Sequence, residues 1–94
     1  MKTLEDLVKY IYNRYPYPKS WWSKAHFEKR CTEIYAAEQA ILKCMDSPLR
    51  EPKDVIFDYI LSLEFSIGYI DNPSAVKTIN VIINTLSNLY DYFL

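Results

Sequence analysis

The chain is poor in the residues that build tight turns and catalytic centres. Its 94 residues contain one glycine and one histidine. An all-β domain needs many turn glycines, so a share this far below the usual ~7% argues against that class. The same scarcity excludes a glycine-rich phosphate loop. With His26 as its only histidine, the chain has no Ser-His-Asp order and no paired His or Cys at metal-ligand spacing. His26 reads as a solvent-facing side chain. No apolar run reaches the ~18 residues of a membrane span. The first residues, MKTLEDLVKYIYN, carry acids inside their apolar stretch and do not read as a signal peptide. The two cysteines, Cys31 and Cys44, fall on one expected helix. Thirteen residues at ~1.5 Å each would hold them about 20 Å apart, too far for a disulfide. They are expected to be free, buried thiols in a reducing compartment, which places the protein in the cytoplasm. No cofactor and no metal is expected.

Charge is close to balanced overall, with a formal net of −1 and no general pull towards nucleic acid or anionic lipid. Its distribution is uneven. Residues 1–45 hold eight cations against five acids, and residues 46–94 hold three against seven. Half of the residues are hydrophobic, enough for one folded domain over residues 1–94.

Proline punctuates this chain. Pro16 and Pro18 close a first segment, Pro48 and Pro52 bracket a second break, and Pro73 marks a third. Between them the apolar residues recur at helical spacing. A first helix is predicted from Thr3 to Arg14, with Thr3 and Asp6 as a capping box and Leu4, Leu7, Val8, Ile11 and Tyr15 on one face. A second starts near Ser20 and runs to Asp46, with Phe27, Cys31, Ile34, Ile41 and Met45 as its seam. A third opens at Glu51 or Pro52 and ends near Ile70, aligned on Ile56, Ile60, Leu63, Ile67 and Ile70. The fourth runs from Pro73 to Phe93 after Asp71 and Asn72 as cap candidates. Its line is Val76, Ile79, Ile82, Ile83, Leu86, Tyr90 and Phe93. Four amphipathic helices with short links predict an all-α, antiparallel up-down four-helix bundle.

Three features break this pattern. Glu38 occupies a seam position, four residues after Ile34 and three before Ile41. A carboxylate there needs a partner or water. Ile41 and Leu42 fill the places where a metal site would need a second ligand. The third helix carries a second stripe, Phe57, Leu61 and Phe65, with Tyr69 at its edge, more than ~100° round from its main line. Such a stripe is either covered within the monomer or offered to a partner or a second copy. Ser66 and Gly68 beside it are small enough for close helix approach. The third feature is RYPYPKSWWSKAHFEKR, Arg14 to Arg30, which mixes aromatics with Arg14, Lys19, Lys24, Lys29 and Arg30. It reads as an aromatic–proline joint between two helices, with Trp21 and Trp22 either side of the seam. As a surface it would suit an acidic protein partner. It would also suit single-stranded nucleic acid, although no recognition-helix or RNA-binding fingerprint is present.

Two segments, EIYAAEQAILK (Glu33–Lys43) and the proline-started EPKDVIFDYILSLEFSIGYI (Glu51–Ile70), together with the chain's size, resemble the small immunity proteins of the enterocin A type. These protect bacteria against class II bacteriocins. The resemblance implies an antiparallel four-helix bundle in the cytosol, without catalytic residues, acting at the sugar-transport receptor that the bacteriocin attacks. Members often have a C-terminal tail beyond the last helix. Here Leu94 directly follows Tyr92 and Phe93.

The expected role is therefore a non-enzymatic helical protein that works by binding another protein, most specifically a bacterial immunity or inhibitor protein. Phe57, Leu61, Phe65, Tyr69, Trp21 and Trp22 are the candidate contact residues. An inhibitor of a host defence nuclease, carried by a phage or mobile element, fits the same surface. A nucleic-acid binder would use residues 14–30.

Overall fold

The computed structural model describes residues 2–94 and contains four helices, α1 (Leu4–Arg14), α2 (Lys24–Asp46), α3 (Pro52–Ile67) and α4 (Pro73–Tyr92). The local sequence explains each start. Thr3 accepts a hydrogen bond from the Asp6 amide while Asp6 accepts from the Thr3 amide, closing the capping box. Asn72 accepts from the amides of Ser74 and Ala75, and Pro73 occupies the first turn of α4. Pro52 opens α3 in the same way.

Two boundaries differ from expectation. The second helix starts at Lys24, because the Ser23 hydroxyl, not Ser20, caps it by accepting from the His26 amide. Residues 19–22 instead form a turn closed by the Trp22 amide on the Lys19 carbonyl, so both tryptophans lie in the link and not on the helix. The third helix ends at Ile67 and not near Ile70. The amides of Tyr69 and Ile70 bond three residues back and tighten the last turn.

Contacts between helices fix the direction of each one. Along α1, Asp6 and Tyr10 meet Tyr92, and Tyr15 meets Asn88, so α1 and α4 run in opposite directions. Tyr10 stacks on Tyr92 with centroids 4.3 Å apart, the Tyr92 hydroxyl donates to the Asp6 carbonyl at 3.4 Å, and Asn88 Nδ2 donates to the Tyr15 hydroxyl at 3.5 Å. Lys2 adds a hydrogen bond to the Tyr92 carbonyl. Phe57, early in α3, sits against Tyr90, late in α4, with centroids 5.8 Å apart. Ala25 and Lys29 of α2 lie beside Ser74 and Lys77 of α4, so these two helices are parallel. The result is an up-down four-helix bundle in which α2 and α4 pack directly against each other and α1 and α3 touch least. Its longest dimension, 37 Å, matches the ~35 Å expected for the 23 residues of α2.

The core contains Leu7, Ile11 and Tyr15 of the α1 region, Val55, Ile56 and Ile60 of α3, and Ile82, Leu86 and Leu89 of α4. Thr85 is buried beside them and satisfies its hydroxyl on the Val81 carbonyl at 2.9 Å. The face that α2 contributes is not the predicted seam. Ala36, Ala37, Ala40 and Cys44 are buried, while Phe27, Cys31 and Met45 are exposed and Ile34 and Ile41 are half-covered. Small side chains let α2 approach three helices closely, and the larger apolar residues are displaced to its flank. Cys31 is accordingly an exposed thiol and Cys44 a buried one. Both are free.

Candidate protein-docking surface

With Val55, Ile56 and Ile60 turned inward, the ~100° advance per residue sends Phe57, Leu61 and Phe65 to another face of α3, and Tyr69 follows in the turn after the helix. They remain in solvent, with exposures of 45%, 46%, 72% and 77%. The stripe is anchored at one end by the Phe57–Tyr90 contact, and at the other Phe65 and Tyr69 pack at 5.4 Å. Two neighbouring aromatics thus support each other without a cover. Isolated exposed apolar residues are ordinary, but three along one helical face, continued by Tyr69 against Phe65, form a patch. Acids interleave with it. Asp54 is exposed, and Asp58 pairs with Arg50 at 2.6 Å. Ser66 and Gly68 are also exposed, and the closest atom to a Cβ built on Gly68 is the Phe65 carbonyl at 3.6 Å, so their small size serves no helix packing within the monomer.

The tryptophans belong to a different place, the α1–α2 link. Trp22 is half-buried. Its ring lies against His26 in a tilted pair with centroids 4.2 Å apart, His26 being otherwise exposed, and sits 5.3 Å beneath the Arg30 guanidinium. Arg30 ties this joint together. It donates to the Pro16 carbonyl at 2.8 Å, pairs with Glu33 at 3.2 Å, and lies 6.0 Å from the Tyr15 ring centre. Its side chain is only 15% exposed. Trp21, by contrast, is 78% exposed with Lys19 close by in sequence, and Lys24 pairs loosely with Glu28 at 3.9 Å. Of the basic residues in this stretch, Arg30 is committed internally, while Arg14, Lys19, Lys24 and Lys29 are exposed.

Burial raises the pKa of three groups above their ordinary values, the Tyr15 and Tyr59 phenols and the Cys44 thiol. Asp6 shifts the other way, held low chiefly by the Thr3 amide. All four have structural explanations. Among the described residues no three His, Cys, Asp or Glu side chains gather as a metal site would require.

The displaced seam of α2 is the feature that helical periodicity located but assigned to the wrong surroundings. Phe27, Cys31, Ile34, Glu38 and Ile41 line a groove against α1 and the Tyr15–Pro18 segment. Glu38 is exposed there, so its place in an apolar row needs no buried partner. No family model, curated protein or solved structure matches the chain. No helix is long and apolar enough to cross a membrane among the described residues.

Proposed function

We propose that this protein acts by binding another protein, without chemistry of its own, as an immunity or inhibitor protein in a bacterial cytoplasm. The observation that supports this reading is the α3 stripe. Phe57, Leu61 and Phe65 stand in solvent on α3, with Tyr69 in the turn after it, while another face of the helix packs into the core. Aromatic anchors on a firm helix are the usual centre of a protein interface, since they cover a large area for little entropy. The resemblance of Glu33–Lys43 and Glu51–Ile70 to bacteriocin immunity proteins gives the reading its specific form.

The test is to express the protein in a bacteriocin-sensitive bacterium and to compare it with the double variant Phe57→Glu, Leu61→Glu. Expression should raise survival under toxin, and the variant should lose protection while its helical circular dichroism is unchanged. Lack of protection by the parent protein would remove the immunity reading. Protection that survives both substitutions would remove α3 as its site. A variant that unfolds would show these residues to be part of the core.

A further inference from the structure

We propose that the groove between α1 and α2 docks a partner segment that presents a lysine or arginine between apolar residues, with Glu38 as its counter-charge. The groove consists of two adjoining hollows of about 160 Å³ and 470 Å³ that share Tyr17, Ile34 and Glu38. Its walls are aliphatic and aromatic, with Tyr12, Tyr17, Phe27 and Tyr35 all substantially exposed. Glu38 is the single charged residue in the lining of either hollow.

Glu5, Glu28 and Glu33 each pair with a cation one turn away on their helix. Glu38 has none. Residues 34, 35, 41 and 42 are Ile, Tyr, Ile and Leu, and no ion pair reaches Glu38 among the described residues. Left open, its carboxylate is hydrated at little cost. Any surface that covered the groove would strip that water, and a buried carboxylate without a partner is costly. A wholly apolar cover is therefore disfavoured, and an anionic one is repelled. A cation on an apolar stem satisfies every wall at once. Its methylenes pack on Ile34 and Ile41, its charge meets Glu38, and the tyrosine faces add cation–π attraction. The groove follows α2 from Phe27 to Ile41, about 21 Å at the helical rise. That length suits a peptide segment and exceeds a single small amine.

The groove stands apart from the α3 stripe, so each surface can fail without the other. The probe is a labelled helical peptide of Leu, Ala and Gln with one central Lys, titrated by fluorescence anisotropy at low salt beside its norleucine twin. The full chain should bind the Lys peptide about tenfold more tightly, as expected for a partly desolvated charge pair. Glu38→Gln should abolish that preference and leave the norleucine peptide bound as before. Phe57→Glu with Leu61→Glu should change neither. Amide shifts should fall on Tyr12, Tyr17 and Phe27. Equal affinity for the two peptides, or a Lys preference that survives Glu38→Gln, would overturn the proposal. So would shifts centred on α3, hexylammonium binding as tightly as the peptide, self-association that fills the groove with a second copy, or no binding at millimolar peptide.

Discussion

Arg30 shows how one side chain can turn a string of aromatics and prolines into a defined joint. A guanidinium presents its donors in a fixed fork and a flat face for stacking. Here the fork spans the Pro16 carbonyl and Glu33, and the face lies by Trp22 and Tyr15. Because the side chain is largely withdrawn from solvent, these contacts are worth more than those of a surface pair. Arg30→Ala should lower stability by about 1–2 kcal/mol, read by urea unfolding, and should red-shift tryptophan emission as Trp22 loses its cover. Arg30→Lys keeps the charge but not the fork, and should recover only part of the loss. An alanine variant with unchanged stability and emission would mean that the joint is held by its prolines alone. In the sequence, residues 14–30 read first as a joint and second as a binding surface. How the joint is held depends on Arg30 reaching a carbonyl fourteen residues back, and no local pattern carries that information.

At the scale of the helix, legibility depended on whether the buried face was made of large residues. In α1 it was, with Leu7, Ile11 and Tyr15 buried as their spacing implied and the Thr3–Asp6 box formed as expected. In α3 both stripes were legible, and the open matter was whether the second, Phe57, Leu61 and Phe65, would be covered within the monomer. In α2 the reading followed the bulkiest residues, and bulk pointed the wrong way. The buried row is Ala36, Ala37, Ala40 and Cys44, small side chains that let α2 lie directly against α4, which brings the large Ile82, Leu86 and Leu89 to the core. Periodicity in alanine is nearly silent to a hydrophobicity count, as alanine is equally at home on a helix surface. The test is Ala37→Leu. If Ala37 sets the approach of α2, added bulk at this fully buried position forces its neighbours apart and should cost about 1–3 kcal/mol. Phe27→Ala, on the predicted seam but exposed, should cost far less. The reverse order in thermal unfolding would restore the seam as the core face.

For the molecule as a whole, the fold covers two phenols and a thiol in their neutral forms, and this sets its response to alkali. Tyr15 is fixed between α1 and α4, Cys44 lies in the α2 core face near the Pro52 carbonyl, and Tyr59 lies by Lys43 on the α2 side of α3. Burial raises the pKa of all three in the fold. The unfolded chain has no such burial, so at high pH it releases protons that the folded chain retains. The fold's advantage is therefore fully present below the unfolded values, 9.0 for the thiol and 10.0 for the phenols, and is lost as pH rises through the raised folded values. Unfolding free energy should be flat from neutral pH to about 9 and fall beyond it. Cys44→Ala should remove the earliest part of the decline, leaving a curve that begins to fall nearer pH 10, whereas Cys31→Ala, at an exposed thiol, should leave the profile unchanged. A stability curve that stays level past pH 10, or one that Cys31→Ala shifts as far as Cys44→Ala, would mean that the core groups do not control alkaline unfolding. Acid behaves differently, because the carboxylate held low, Asp6, is on the surface in the cap of α1. Its contribution is present above the ordinary aspartate range and is lost as pH falls through its lowered value, so acid should fray one helix end while alkali opens the core.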